Sequence, residues 1–340
     1  MHTTPTTIVD PRKDAIAAWL ADLFPGATAE LTAASEDASF RRYLRARFPD
    51  ETCFVVMDAP PERENCRAWL AVQQLFEAAG AHVPKVHAAD VERGFLLLSD
   101  LGNTTYLNAL EEGNASALYL AAIDTLIRIQ GASRPGVLPE YDRERLLVEM
   151  ELFPVWYMGR HLGRAPQGAE ADTLYEMFER LLTVNLAEPR VFVHRDYHSR
   201  NLMVTGQAPG VLDFQDALYG PITYDLASLF KDAYIAWDEE RTLDWLIRYW
   251  ERARTAGLPV RADFAEFHRD YEWMGAQRHL KVLGIFARLY HRDGKDGYLK
   301  DLPLVFEYLR KTATRYRELH PLAKLLDRLD PRETRVGYTF

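Results

Sequence analysis

The chain has 340 residues, of which 48% are hydrophobic and 27% charged, a balance typical of a soluble globular protein with room for two lobes. A net charge of −9 argues against a nucleic-acid surface, which needs a basic face, and two cysteines are too few for a disulfide framework. The sequence contains neither a signal-peptide pattern nor an apolar run near the roughly 20 residues that span a bilayer. We therefore expect a cytoplasmic protein that binds neither nucleic acid nor membrane.

The first hundred residues predict a small sheet accompanied by helices. Asp10 and Pro11 predict a helix start, because a capping side chain is followed by proline in the first turn. Apolar residues at helical spacing continue this helix to Pro25. Strand-like runs lie around residues 29–33, 40–48, 53–58, 83–89 and 95–99, with a second helix at about 62–79.

After residue 102 the pattern becomes helical. Helices are predicted at roughly 115–130, 140–161, 170–187, 223–236, 238–256, 263–291 and 301–318. We therefore predict an α+β chain with two lobes. The N-lobe, at 1–101, is sheet-rich, the C-lobe, at 102–340, is mostly helical, and the hinge lies near 99–103.

The segment 191–214, VFVHRDYHSRNLMVTGQAPGVLDF, carries the clearest chemical signal. Its first apolar run predicts a buried strand that delivers Asp196 onto a loop, and a second apolar pair delivers Asp213. Phosphoryl transfer needs a carboxylate to orient and deprotonate the attacking hydroxyl, and oxygen ligands for Mg²⁺ on the nucleotide phosphates. Asp196 is the candidate base. Asn201 and Asp213 are the candidate Mg²⁺ ligands, because hard oxygen donors suit this cation and the spacing matches kinase loops.

The pattern H-x-D-x-H-x-x-N, followed by Leu-Asp-Phe at 212–214 and Tyr-Asp-Leu at 224–226, resembles the aminoglycoside phosphotransferase/choline kinase-like family. Within that family, the runs at 55–70 and 96–107 resemble bacterial anomeric sugar kinases of cell-wall recycling. The resemblance implies a bilobal protein-kinase-like fold with ATP and Mg²⁺ as cofactors. It implies phosphorylation of N-acetylmuramate and N-acetylglucosamine on the C1 hydroxyl, giving the α-1-phosphate in peptidoglycan recycling. No protein partner is predicted.

The resemblance also suggests residues that support the catalytic loop and bind the nucleotide. Asp225 is expected to accept backbone N–H groups of the loop, and His194 to fix its shape. Kinase-like folds place a lysine on the third strand, but this chain has none between Lys13 and Lys85. An arginine on the preceding strand is the expected replacement, with Arg45 as a further possibility. The candidate nucleotide-binding residues are Ser39, Arg41, Arg42, Ser99 and Leu101.

Substrate contacts are expected in the helical lobe, where aromatic faces suit a sugar and arginines suit a carboxylate. The candidates are His198, Gln215, Asp216, Trp156, Arg160 and Arg278. Other small-molecule kinases of the same branch, of aminoglycoside, choline or homoserine type, remain alternatives. The missing lysine also leaves open a non-catalytic nucleotide-binding regulator, and His194 with His198 a zinc-dependent hydrolase.

Overall fold

The structure is a computed structural model that describes residues 10–35, 40–206 and 208–330, so Ser39 lies outside the described residues. The chain divides into two compact units. The first contains the described residues up to Thr104 together with Met203–Gln215, and the second contains Thr105–Leu202 and the described residues from Asp216 onward. The predicted lobe boundary after residue 101 stays a prediction. The sequence analysis placed Asp213 in the C-lobe, whereas the segment that carries Asp213 belongs to the first unit.

The first unit contains a five-stranded antiparallel sheet with the strand order β1-β2-β3-β5-β4. Its strands are β1 (Glu30–Ser35), β2 (Arg42–Arg47), β3 (Cys53–Asp58), β4 (Val86–Asp90) and β5 (Phe95–Ser99). Helix α1 (Pro11–Leu23) packs against the sheet, and its start is as predicted, since the Asp10 carboxylate accepts the Lys13 N–H. Helix α2 (Cys66–Ala78) begins later than predicted, after Asn65 caps it.

Period-two alternation sets which residues of this sheet are buried. On β2, Leu44 and Ala46 point into a core that includes Trp19 of α1 and Val56 of β3. Burying these side chains contributes about 1.5–3 kcal/mol for each large aliphatic residue. Arg45, which lies between them on β2, points to the other side, where it pairs with Asp100.

The second unit is largely helical. Its helices are α3 (Tyr106–Ala109), α4 (Ala115–Gly131), α5 (Arg143–Met150), α6 (Ala169–Asn185), α7 (Tyr224–Phe230), α8 (Glu239–Thr255), α9 (Phe264–Asp293), α10 (Leu302–Arg315) and α11 (His320–Leu329). The 30-residue α9 is the central element, buried along most of its length and packed against α5, α6, α7 and α10. No helix within the described ranges is both long and apolar enough to cross a membrane.

Short strands carry the motif segment. Strand β6 (Arg190–Val193) pairs antiparallel with β9 (Leu218–Pro221) in the second unit. Strand β7 (Leu202–Met203), where the chain passes into the first unit, pairs with β8 (Gly210–Val211). The expected strand before Asp196 is therefore present and fully covered, since Val191, Phe192 and Val193 are buried.

Two predicted helices differ from the structure. The prediction of one helix over 140–161 is wrong, because α5 ends at Met150 and a π-helix occupies Phe153–His161. Pro154 explains the break, since it lacks an N–H donor and its ring clashes with the carbonyl four residues earlier in a continuous α-helix. The helix predicted over 223–236 ends at Phe230. Asp232 lies beyond that end and uses its carboxylate to bind backbone and hydroxyl groups of the motif loop.

Candidate active site

The motif loop leaves the buried strand β6 through a strained turn. His194 is fully buried, and Arg195 adopts a left-handed backbone with φ of 79°. A non-glycine residue in this region costs on the order of 1–3 kcal/mol and persists only where its surroundings enforce it. The His194 Nδ1 atom lies 3.2 Å from the Asp196 backbone N–H, which donates to it. The turn therefore fixes the backbone at Asp196.

Asp225 provides that enforcement from the first turn of α7. Its carboxylate accepts the backbone N–H of His194 at 2.7 Å and that of Arg195 at 2.9 Å. Burial raises the pKa of Asp225 to about 7, although these two hydrogen bonds act in the opposite direction. Two charge-assisted hydrogen bonds to a fully buried carboxylate hold the loop firmly on the end of α7.

Hydrogen bonds within the loop and from Asp232 hold the rest of the loop in place. Asn201 donates its side-chain N–H to the Asp196 carbonyl at 3.0 Å, which orients the amide. The Asp232 carboxylate accepts both the backbone N–H and the hydroxyl of Ser199, at 2.9 and 2.5 Å. The loop is thus held on both sides of Asp196, at His194 and Arg195 before it and at Ser199 after it.

Positive charges surround the Asp196 carboxylate. Burial by itself raises the pKa of Asp196, but the charges of Lys281, His198, Arg195 and Arg278 outweigh burial and lower the pKa to about 2. Asp196 is therefore ionised throughout the neutral range. An ionised carboxylate next to a cleft can accept a hydrogen bond from a substrate hydroxyl and orient it.

Glu149 collects two of these cations and was not foreseen from the sequence. Its carboxylate contacts Arg195 Nη2 at 2.6 Å and Lys281 Nζ at 3.1 Å, and it also accepts hydrogen bonds from Tyr141 and Gln277. Burial by itself raises the pKa of Glu149, but the charges of Lys281 and Arg195 outweigh burial, so the pKa lies below its ordinary value. A charged residue at a buried position of a helical pattern was the only available signal for Glu149 and Lys281.

Asp196 opens into a cleft within the second unit with about 550 Å³ of space not filled by protein atoms. Its polar lining residues are Asp196, His198, Arg278 and Lys281. Its other lining residues are apolar or aromatic, namely Ala233, Tyr234, Val282, Ile285, Phe286, Leu289 and Tyr298. A few convergent polar groups on an apolar and aromatic wall are typical of a small-molecule site. Two of the predicted substrate residues, His198 and Arg278, are in this lining.

The first unit contains the other predicted metal ligand. Asp213 also has a left-handed backbone, with φ of 62°. Its carboxylate accepts the Gln215 side-chain N–H at 2.8 Å and lies 3.7 Å from Arg41 Nη2. Arg41 also lies 3.5 Å from the Glu64 carboxylate. Among the predicted nucleotide-binding residues, Arg41 is thus the one in contact with Asp213.

The other arginines of the first unit make different ion pairs. Arg42 contacts the Asp10 carboxylate and the fully buried Asp58 carboxylate, both at 2.5 Å. Arg45 pairs with Asp100 at 2.6 Å. Both arginines therefore have structural partners in the sheet.

The predicted hinge residues are held by backbone and side-chain contacts. The Ser99 hydroxyl accepts the Lys85 N–H at 2.9 Å, and the two residues also pair through Ser99 N–H and the Lys85 carbonyl. Leu101 lies so close to Gly210 that a Cβ atom there would be 2.8 Å from the leucine Cδ1. Glycine at 210 therefore allows β8 to approach this segment.

The remaining candidates lie elsewhere, and their substrate role stays a prediction. Arg160 is exposed and Trp156 half-buried on the π-helix, outside the cleft lining described above. Asp216 is exposed, and its carbonyl lies 3.5 Å from Arg195 Nη1. The zinc alternative finds no support, since the described part of the chain brings together no group of three or more His, Cys, Asp or Glu side chains able to hold a metal.

Known proteins resemble this chain in sequence and in fold. An N-acetylmuramate/N-acetylglucosamine kinase from Neisseria meningitidis serogroup B is 52% identical over 327 residues, covering 95% of this chain and 97% of that protein. A solved choline/ethanolamine kinase family protein from Mesorhizobium loti has a TM-score of 0.62 at 15% identity, covering 93% of this chain and 99% of that chain. The ADP-bound aminoglycoside phosphotransferase APH(2'')-Ib has a TM-score of 0.57 at 14% identity, covering 89% and 99%.

These likenesses confirm the predicted kinase-like α+β fold, an N-terminal five-stranded antiparallel sheet followed by a largely helical part. The sequence model of the Phosphotransferase enzyme family matches residues 30–264, well over half of the chain. This chain therefore belongs to the Phosphotransferase enzyme family.

Proposed function

We propose that this protein is an ATP-dependent amino-sugar kinase that acts in the cytoplasm in peptidoglycan recycling. It transfers a phosphoryl group to the C1 hydroxyl of N-acetylmuramate and of N-acetylglucosamine, giving the α-1-phosphate. The observation that carries this proposal is 52% identity, over 95% of the chain, with a relative that is an N-acetylmuramate/N-acetylglucosamine kinase. The cleft at Asp196 supports it, because a few polar groups on a mostly apolar and aromatic lining suit a single amino sugar.

In this mechanism Asp196 positions the acceptor. Its carboxylate accepts a hydrogen bond from the C1 hydroxyl, whose oxygen attacks the γ-phosphorus of ATP in line with the leaving ADP. The new C1–O–P bond forms as the bond between the β-bridging oxygen and the γ-phosphorus breaks, and the hydroxyl proton passes to Asp196. A carboxylate with a pKa near 2 is a weak base, so its main contribution is orientation, with proton transfer late in a loose transition state.

Asn201 and Asp213 are the proposed ligands of Mg²⁺. They offer amide and carboxylate oxygens, the donor set that this cation prefers, and the Asn201 amide is oriented by its hydrogen bond to Asp196. Bound Mg²⁺ neutralises phosphate charge and orients the phosphates for transfer. Arg41 is our proposed replacement for the missing strand lysine, because its guanidinium lies 3.7 Å from the proposed Mg²⁺ ligand Asp213, whereas Arg42 pairs with Asp58 and Arg45 with Asp100.

A coupled assay of ADP release tests this function, with N-acetylmuramate, N-acetylglucosamine, kanamycin and choline as acceptors. We expect turnover with the two amino sugars and little with the others. Phosphorylation at C1 removes the reducing end of the sugar, so the product should lose its reaction with reducing-sugar reagents, and proton–phosphorus couplings should report the α anomer. Phosphorylation that leaves the reducing end intact, or turnover confined to kanamycin or choline, would contradict the proposal. Nucleotide binding without turnover of any acceptor would favour the non-catalytic alternative.

A further inference from the structure

Arg278 is a buried arginine of α9 that lines the cleft at Asp196. The residue is 4% exposed, and its Nη1 atom is enclosed without a hydrogen-bond partner. Within the ranges that the structure describes, no carboxylate forms an ion pair with it. Enclosing an unpaired cation costs several kcal/mol in general, so such residues are expected to have an anionic partner in the working protein.

The neighbouring cation, in contrast, is fully used. Lys281 lies one helical turn further along α9, and its Nζ atom contacts the Glu149 carboxylate at 3.1 Å and the Tyr224 hydroxyl at 2.9 Å. Lys281 is also the strongest of the charges that lower the pKa of Asp196, whereas Arg278 is the weakest of the four. Lys281 thus supports the catalytic carboxylate, and Arg278 lines the same cleft.

The two proposed sugars differ in one group that would satisfy such an arginine. N-acetylmuramate carries a lactyl ether on C3, ending in a carboxylate, where N-acetylglucosamine has a hydroxyl. C3 is two ring carbons from C1. The distance from the C1 hydroxyl, placed at Asp196, to the lactyl carboxylate is therefore about the width of one sugar ring. Val282 and Ile285, which line the cleft on the same helix, offer an apolar surface for the lactyl methyl group.

We propose that Arg278 binds the lactyl carboxylate of N-acetylmuramate and sets the preference of the enzyme between its two sugars. This inference rests on the proposed function. Arginine suits the role because its planar guanidinium binds a carboxylate through two parallel hydrogen bonds, while a hydroxyl at the same place gains only one. N-acetylglucosamine is then accepted without using this interaction.

The test combines enzyme variants with matched substrates. The enzymes are wild type, Arg278→Met, Arg278→Lys and, as control, Arg269→Met, which removes an exposed arginine of the same helix. The substrates are N-acetylmuramate, its lactyl methyl ester and N-acetylglucosamine, with kcat/KM measured for each. We expect Arg278→Met to lower the N-acetylmuramate to N-acetylglucosamine ratio of kcat/KM by about 10- to 100-fold, through a higher KM for N-acetylmuramate. The control should keep the wild-type ratio.

The methyl ester gives an independent result in the wild-type enzyme. It keeps the size of the lactyl group without its charge, so wild type should prefer acid over ester, and Arg278→Met should show no such preference. If Arg278→Met fails to fold by thermal melting, Arg278→Lys and the wild-type ester comparison decide the matter. Equal losses with both sugars, together with a higher KM for ATP, would overturn the inference and assign Arg278 to the phosphates. If folded wild type phosphorylates neither sugar, the proposed function itself fails and this inference fails with it.

Discussion

Arg195, which precedes Asp196, and Asp213, a proposed Mg²⁺ ligand, each have a left-handed backbone conformation, and among the described non-glycine residues only Glu51 shares this conformation. At Arg195 the reason is visible, because Asp225 needs two consecutive N–H groups turned toward it. The strained residue therefore orients Asp196, its neighbour. Backbone strain that the surroundings enforce is common where a fold fixes a reactive group.

Asp196→Asn tests the role of the carboxylate itself. We expect kcat to fall by about 100- to 10,000-fold, because the amide cannot accept the proton and offers a weaker acceptor for the hydroxyl. ATP affinity should change little, since the proposed phosphate and Mg²⁺ contacts come from other residues. Steady-state kinetics and a nucleotide-binding titration measure both quantities. Asp172→Asn, at an exposed position of α6, is the matched control and should keep wild-type turnover. Near-full turnover of Asp196→Asn would remove the base assignment.

Residue by residue, local spacing led to Asp196 and Asn201, and the family resemblance led to Asp225, but neither led to Glu149 or Lys281. The first three lie in a short segment whose pattern is readable, because a buried strand precedes a loop and a helix follows. The ion pair between Glu149 and Lys281 joins positions 132 apart in the chain, on α5 and α9. No local pattern encodes such a pairing, which depends on how α5 packs against α9.

At the level of elements, α7 and the segment just beyond it anchor the motif loop at two points. Asp225 in its first turn binds the loop at His194 and Arg195, and Asp232, just beyond its last turn, binds the loop at Ser199. The short helix thus acts as a rigid support whose two carboxylates fix the loop on both sides of Asp196.

Asp232→Ala tests the second of these anchors. The substitution leaves the Ser199 N–H and hydroxyl buried without their acceptor, at a cost of about 1–3 kcal/mol for each unsatisfied group. We expect lower stability and a lower kcat, because the loop carrying Asp196 and Asn201 loses its position. Chemical denaturation and steady-state kinetics measure the two effects.

Ser199→Ala is the graded comparison for this prediction. It removes the hydroxyl but keeps the backbone N–H bonded to Asp232, so its losses should be clearly smaller than those of Asp232→Ala. Equal effects of the two variants would show that the backbone contact does not position the loop.

The strands were easier to predict than the helix ends. Residues 53–58 and 95–99 were predicted with the bounds that the structure has, because uniform apolar runs between turn residues leave little ambiguity. Helix α11 was not predicted, and the helix over 140–161 was predicted as continuous although Pro154 divides it. A proline in the interior of a helical pattern indicates a break even where the apolar spacing continues past it.

Within the second unit as a whole, stability depends on charged groups buried among the helices. Lys231 and Glu272 pair at 2.7 Å, and Arg261 pairs with Asp270 at 2.8 Å. Glu188 is different, because it is 4% exposed and its carboxylate accepts the N–H and hydroxyl of Thr223, at 3.1 and 2.7 Å, while no cationic side chain in the described part of the chain forms an ion pair with it. Glu188 thereby links the segment after α6 to the residue that precedes α7.

Glu188 makes the stability of this unit depend on pH. Burial, reinforced by the nearby Asp270 charge and opposed by Thr223 and Arg261, raises the pKa of Glu188 to about 8 from an ordinary value of 4.5. Between these two values the folded protein binds a proton that the unfolded chain has lost. The contribution of Glu188 to stability is therefore fully present below pH 4.5 and is lost as pH rises through about 8.

Glu188→Gln removes this dependence, because glutamine keeps the shape and an acceptor for Thr223 but does not ionise. Near pH 5 the variant and wild type should have similar free energies of unfolding. As pH rises to 9, wild type should lose stability relative to the variant, since it alone must hold a buried negative charge. Urea denaturation at pH 5, 7 and 9 measures the difference, with the exposed Glu251→Gln as the control that should follow wild type. Parallel stability curves for wild type and Glu188→Gln would mean that Glu188 is ionised in the folded protein at neutral pH. The buried carboxylate would then need a cationic or solvent partner beyond Thr223.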